Sequence, residues 1–279
     1  MKLMVIGARG NLGSELCRQS AHPVIAVGRR EWETMTDIDL LDVDVVIHAA
    51  ADLYTPVSEH PADVIDSGPM LTARLLELLG THKTPRLMYV SSCAVYGDGA
   101  TTEDGAPCCP LTINGQINLL NENLIEAYCN RRNIHWESYR LFNTFGGNDR
   151  FSVVNRILAA ARQGKAITIH NNGCSLRDFV HVADVASILL EMAERRPPYQ
   201  RINIGTGHGT SIGDLIAAAR DFHPGLAVRF DATPDPVAVS VADTERLFAC
   251  IGPHHHFISV LDTLRATLGA PASGAHAQS

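Results

Sequence analysis

Lysine is scarce in this 279-residue chain: only Lys2, Lys83 and Lys165 occur, and every other basic residue is arginine. Basic charge is not in excess either. With 23 Lys and Arg against 30 Asp and Glu the formal charge is −7, which argues against a general nucleic-acid surface, because phosphate binding needs a concentrated basic face. The seven cysteines contain no CxxC pair. An odd count with Cys108 and Cys109 adjacent fits free thiols in a reducing compartment better than a disulfide framework. No metal-ligand spacing occurs and no metal is expected; His254, His255 and His256 read as a polar loop, since three adjacent residues converge poorly on one ion. No basic-then-apolar leader precedes "KLMVIG", and no apolar run approaches the roughly 20 residues of a membrane span. The expectation is a soluble, cytoplasmic protein with no membrane or nucleic-acid partner. There is no internal repeat.

What the chain does have is apolar material, at 46% hydrophobic against 19% charged residues, enough to bury a full core. Short apolar runs alternate with amphipathic stretches, the pattern of parallel strands joined by crossover helices. Strands are predicted at 3–7, 23–28, 43–50, 86–92, 136–142 and 201–205, each continuous rather than alternating, as strands covered on both faces should be. Helices are predicted over 63–79 and 115–132, the second with Ile117, Leu120, Leu124 and Tyr128 as an apolar stripe at helical spacing. From about Phe145 the texture changes: a helix ending at Gly164, a short strand "AITIH", the turn "NNG", and two further helices. The expected fold class is α/β, a Rossmann-type doubly wound parallel sheet with a smaller C-terminal substrate-binding domain. The sheet domain spans 1–143, with 174–206 returning to it; 144–173 and 207–268 make the smaller domain, and 269–279 a flexible tail.

"GARGNLG" places Gly7, Gly10 and Gly13 three apart, directly after the first strand and opening a helix. Such glycines permit a tight turn and close approach of a pyrophosphate, whose charge meets the helix N-terminal amides. Gly7, Arg9, Gly10, Asn11, Leu12 and Gly13 are therefore candidate cofactor residues. A carboxylate ending the second strand would suit NAD, through the ribose hydroxyls. Here that strand ends Gly28-Arg29-Arg30, and an arginine fork suits a phosphate, which tilts the choice toward NADP. Two other readings stay open: a solvated basic turn, or Glu31 taking the acid's place.

With that turn, "VIHAAA" (46–51), "YVSSCAVYGDG" (89–99), "RLFNTFGGNDR" (140–150), "SLRDFVHVADVA" (175–186) and "INIGTG" (202–207) follow in order. The chain thereby resembles the extended short-chain dehydrogenases/reductases, and among them the NAD(P)-dependent nucleotide-sugar epimerases and dehydratases, over roughly residues 1–268. The resemblance implies a nucleotide-sugar substrate. It implies that Ser92 matches the catalytic serine or threonine that bonds the reacting sugar oxygen. Asn143 matches a substrate-contacting asparagine and Arg177 an arginine that holds the diphosphate. Asn11 and Leu12 match turn residues whose backbone meets the cofactor, and Ala49, Ala50 and Ala51 match the strand end lining its ribose. Cys93 and Ala94 stand where sugar 4,6-dehydratases carry an Asp-Glu pair, so that reaction is not expected. Arg229 is the nearest candidate for a second diphosphate contact.

One departure dominates. The family's tyrosine and lysine lie four apart, so that the lysine lowers the phenol's pKa and holds the nicotinamide ribose. Its spacing, laid on "PLTINGQIN" (110–118), puts Asn114 at the tyrosine and Asn118 at the lysine, and no Tyr-x-x-x-Lys exists anywhere in the chain. Amides hydrogen-bond, but they take up no proton near neutral pH. Three readings follow: an enzyme whose substitute acid or base is Tyr96, Cys108, Cys109 or a water held by Asn114; a catalytically inactive NAD(P)-binding sensor or partner protein; or a non-redox lyase or cyclase. By the same resemblance, helices 63–79 and 115–132 would form a homodimer interface.

Overall fold

The computed structural model describes residues 1–50, 60–80, 85–99, 107–149, 151–253 and 255–269. Its apolar runs become strands because Val, Ile, Leu and Met suit a pleat buried on both faces; Leu3, Met4, Val5, Val46 and Ile47 have no exposed surface. Along the chain, β1 (Leu3–Ile6) leads into α1 (Asn11–Gln19), β2 (Val24–Val27) into α2 (Arg29–Thr34), and β3 (Val45–His48) into α3 (Pro61–Ile65) and α4 (Leu71–Leu79). There follow β4 (Arg86–Ser92), α5 (Ile113–Arg132), β5 (Trp136–Leu141), β6 (Asn143–Phe145), α6 (Val153–Gln163) and β7 (Ile167–Ile169). Next come β8 (Leu176–His181), α7 (Val182–Arg195), β9 (Arg201–Ile204), β10 (Gly209–Ser211) and α8 (Ile212–Phe222). The last elements are β11 (Val228–Phe230), β12 (Val239–Ser240), α9 (Glu245–Ile251) and α10 (Val260–Gly269).

The six strands expected from the sequence form one parallel sheet in the order β2-β1-β3-β4-β5-β9. Ile6 sits opposite both Val27 and His48, so the carboxyl ends of β2, β1 and β3 lie level. The chain reverses its direction of travel across the sheet beside β1, and that switch point opens the crevice where such sheets bind ligands. One core packs α1 and α7 on one face of the sheet through residues such as Leu16, Val185 and Leu189; another packs α4 and α5 on the opposite face through Leu75, Leu79 and Ile125. A third core lies apart from the sheet, built from α6, α8 and α10 around Phe145, Ile157, Leu215 and Leu264, with β8 paired to β6, β10 and β12 beside it. No helix of the described residues is long and apolar enough to cross a membrane.

Two predicted helices differ from expectation. The 63–79 segment is interrupted at Asp66–Met70, which widens into a π turn. Pro69 lies inside it and has no N–H to return to the preceding turn, so the ladder must skip a residue there. In α5 the apolar stripe is not the buried face. Leu120 is 44% exposed, whereas Asn118, Asn121 and Glu122 are buried with Gly115, Ile125 and Cys129. The cause lies in the partners these polar groups find on β4 and β5.

Candidate functional site

The glycine turn is built so that no side chain fits it. Gly7 has φ +88°, and a Cβ there would stand 2.8 Å from the backbone of Ala49 and Ala50, so β1's turn lies directly on the end of β3. A Cβ on Gly13 would stand 2.1 Å from the Gly7 carbonyl oxygen. Gly10 caps α1 without any side-chain acceptor, so the first-turn amides face the crevice unshielded. Asn11 turns its side chain away: Nδ2 donates to the Gly146 carbonyl (3.1 Å) and Oδ1 accepts from the Asn148 amide (2.7 Å). Gly13→Ala is expected to weaken NAD binding roughly 10- to 100-fold, the cost of forcing a methyl into filled space. Calorimetry with NAD checks this; an unchanged dissociation constant would detach the turn from cofactor binding.

A cleft of about 660 Å³ opens over this turn, lined by Gly7, Gly10, Gly28, Arg29, Ala49 and Ala50 among others. Ala51 lies outside the described residues. Of the two arginines expected to grip a phosphate, Arg29 lines the cleft and Arg30 does not. Glu31 is already engaged: one carboxylate oxygen accepts from Arg9 (2.6 Å) and the other from the Gly28 amide (2.9 Å), so Arg9 and Glu31 latch the first two βα turns together. Among the described lining residues the other charges are acidic, from Glu33, Asp63 and Asp66. Trp32 also lines it, with the Arg74 guanidinium 5.1 Å from the ring centroid. Sequence reasoning had no signal for these last groups, because α2 and the π turn come together only in the fold.

At the end of β4, Ser92 sits beside Leu141 in the ladder, which places Asn143 just beyond the neighbouring strand. The Ser92 hydroxyl accepts from the Ala94 amide (3.2 Å), capping the short turn Cys93–Val95. Gly115 of α5 rests against that turn; a Cβ there would stand 2.3 Å from the Ala94 carbonyl oxygen. The first turn of α5, with Asn114, is thus held at the Ser92 turn. Tyr96, one of the candidate substitute acids, is 3% exposed, its phenol donates to Asn203 Oδ1 (2.7 Å), and the Arg140 guanidinium covers its ring at 4.7 Å. Cys108 lies 3.5 Å from Arg140 Nη2, and Cys109 is exposed.

Asn114 and Asn118 belong to a run of hydrogen bonds that starts on β4. Tyr89 donates from its hydroxyl to Asn118 Oδ1 (2.9 Å) and accepts from Asn121 Nδ2 (3.0 Å). Asn118 Nδ2 donates to both the Asn114 carbonyl (2.9 Å) and Asn114 Oδ1 (3.0 Å). Asn121 Oδ1 is buried without a partner. The His48 ring lies against Tyr89 at 5.2 Å between centroids, its Nε2 3.0 Å from Thr72 Oγ1. Burial drives the His48 imidazole down to about 4, so it is neutral at neutral pH. Burial also raises the Tyr89 phenol above its ordinary value, which removes it as a neutral-pH base.

One turn on, Glu122 anchors α5 to the sheet. Its carboxylate accepts from Ser91 (2.5 Å), Ser138 (3.0 Å) and both Nε (3.0 Å) and Nη2 (2.6 Å) of Arg140. Arg201 Nε stands 3.6 Å from it. Burial pushes the Glu122 carboxyl up, but the Arg140 fork and the serine hydroxyls outweigh that and hold it below its ordinary value.

A second cavity of about 330 Å³ lies in the smaller lobe, lined by Asn143, Ser152, Arg156, Ser175, Arg177 and Asp235 among others. Asn143 donates to the Asp178 carbonyl (3.1 Å). The Asp178 carboxylate, unremarked in the sequence, gathers the amides of Thr206, Gly207 and Ala242 and so fixes the loop after β9. Arg177 is present but occupied: Nη2 donates to Asp235 Oδ2 (2.5 Å) and to the Val237 carbonyl (2.6 Å). Arg229 is exposed and does not line the cavity, whereas Arg156 does.

A cleft at the β1–β3 switch point and a separate polar cavity beyond β5 are thus the two openings that the expected site residues line. Residues 3–205 match the profile of the NAD dependent epimerase/dehydratase family, and the chain belongs to that family. A putative UDP-glucose 4-epimerase of Methanocaldococcus jannaschii is 28% identical over 195 residues, covering 67% of this chain but 63% of the relative's length. UDP-glucose 4-epimerase of Dictyostelium discoideum is 27% identical over 278 residues, covering 78% and 80%. Among solved structures, TunA, an NAD dependent NDP-hexosamine 5,6-dehydratase involved in tunicamycin biosynthesis, is 24% identical with a TM-score of 0.86 over 96% of both chains. UDP-glucuronic acid 4-epimerase of Bacillus cereus, solved with UDP-glucuronic acid and NAD, is 23% identical with a TM-score of 0.85 over 96% and 98%. At those identities the likeness is one of fold.

Proposed function

We propose that this chain is an enzyme acting on a nucleotide sugar with a bound nicotinamide cofactor, in which hydrogen-bonding asparagines stand where the family's proton-transferring tyrosine and lysine are expected. The observation that carries the reading is the pair of cavities. The first lies on the glycine turn. The second joins Asn143 to Arg177 and Arg156 beside the third core. Ser92 and Asn114 lie at the strand end next to Asn143. They supply hydrogen bonds to a sugar, but Asn114 and Asn118 take up no proton at neutral pH, so hydride turnover is expected to be slow.

The structure's charges favour NAD over the NADP leaning of the sequence. Among the described lining residues one arginine, Arg29, stands with three carboxylates, a balance that supports NAD rather than a 2′-phosphate. We also propose a homodimer through α3–α4 and α5, where Ile65, Met70, Ile113 and Leu120 are each 44–55% exposed. The test is a thermal-shift and calorimetric panel of NAD and NADP, each with UDP-, GDP- and dTDP-sugars. NAD binding more tightly than NADP, and a sugar nucleotide adding a second stabilisation, are the expected results. NADP binding more tightly would return the preference to Arg29, and no response to any sugar nucleotide would refute the substrate class.

A further inference from the structure

The asparagines at 114 and 118 are not interchangeable amides, because the chain of hydrogen bonds around them has one direction. A backbone carbonyl can only accept, so the contact with the Asn114 carbonyl fixes Asn118 with Nδ2 toward Asn114 and Oδ1 toward Tyr89. Oδ1 in turn needs a donor, and Tyr89 has a single hydroxyl hydrogen to give. Tyr89 must then accept from its other neighbour, so Asn121 faces it with Nδ2. The price of that order is visible at its far end, where Asn121 Oδ1 is buried with no donor although the residue is only 3% exposed. At the near end, Asn118 Nδ2 also meets Asn114 Oδ1; reversing the Asn114 amide would set donor against donor. The charged group nearest in sequence, Glu122, is occupied by Arg140, Ser91 and Ser138 and takes no part.

The geometry points to Asn118, held by the Asn114 carbonyl on one side and by Tyr89 on the other, as a positioning residue that turns Asn114 so that only its Nδ2 hydrogens remain to be offered. Resting on the nucleotide-sugar reading, this makes position 114 an obligate donor. It holds a substrate oxygen by its lone pairs, as a carbonyl, carboxylate or hydroxyl acceptor, and cannot draw a proton from it. The family-expected tyrosine position has become a one-way hydrogen-bond donor for the sugar.

The test uses NAD-loaded protein with UDP-glucose and UDP-glucuronic acid as probes. Asn114→Asp keeps the shape and still accepts from Asn118, but has nothing to donate while ionised. At pH 8 it is expected to bind the tighter of the two probes about 10- to 100-fold more weakly than wild type, the cost of an unmet polar contact. Asn118→Leu, checked for folding by its melting temperature, frees the Asn114 amide to turn, and in that background the penalty of Asn114→Asp should shrink. Undiminished binding by Asn114→Asp at pH 8, or a penalty unchanged by Asn118→Leu, would each overturn the donor assignment alone. Wild type that binds neither these probes nor any GDP- or dTDP-sugar would overturn the substrate reading and this assignment together.

Discussion

Asn114→Tyr combined with Asn118→Lys is expected to raise hydride transfer between a bound UDP-sugar and NAD by about 10²–10⁴-fold over wild type, the usual worth of a positioned acid–base pair. The helix already holds the two positions one turn apart, with Gly115 pressing that turn onto the strand end that carries Ser92. The surroundings of residue 118 are suited to an ammonium group as well. Tyr89 contributes a hydroxyl there, and Asn121 carries a buried Oδ1 that lacks a donor. Each single change should gain far less, because a tyrosine without the lysine keeps a phenol near its ordinary value of about 10 and a lysine alone has nothing to activate. Absorbance of the reduced nicotinamide at 340 nm follows the reaction. Wild type that already turns over at roughly 1–10³ per second would show that another group has taken the role.

Glu122→Ala should be among the most damaging single changes to stability, at about 3–5 kcal/mol, since it leaves the Arg140 guanidinium buried and uncompensated. Arg140 is 2% exposed, and its remaining neighbours are the Tyr96 ring and the Cys108 sulfur, neither of which carries the opposing charge. Replacing both Glu122 and Arg140 with leucine should cost much less than either single loss, because no charge is then stranded. Urea denaturation of the three variants measures the difference, and equal losses in single and double variants would refute the account. The sign with pH follows from the lowered Glu122 value. A carboxyl whose folded pKa lies below its unfolded one stabilises above the unfolded value, about 4.3, and that contribution fades as acid carries the pH down through the folded value.

The sheet and the glycine turn were legible because their signals are local: a run of Val and Ile, or three glycines after a strand, is read from adjacent residues. The face of α5 was not. Periodicity chose Ile117, Leu120, Leu124 and Tyr128, yet the helix buries Asn118, Asn121 and Glu122, whose partners Tyr89, Ser91, Ser138 and Arg140 lie on two other strands. A polar residue looks solvent-seeking until its partner is known. Arg177 was illegible in another way: it lines the second cavity, but Asp235, 58 residues on, already fills its fork. The π turn was detectable in hindsight from Pro69 inside a helical pattern, whereas the acidic wall it helps to build on the first cleft was not.

The Asn11 side chain grips Gly146 and Asn148 with both of its polar atoms, and Gly147 lies so close that a Cβ would stand 2.5 Å from its Oδ1. That single amide works as a rivet between α1, which follows the glycine turn, and the loop that leads out of β6 toward α6. A shift of the glycine turn by a few tenths of an ångström cannot be absorbed locally, because packed, hydrogen-bonded contacts of this kind transmit displacement rather than cushion it. The loop that would be dragged along begins directly after Asn143, Thr144 and Phe145, and it ends where Ser152 caps the next helix. A displacement of the glycine turn is therefore expected to reach the rim of the second cavity, which Asn143, Thr144 and Ser152 line.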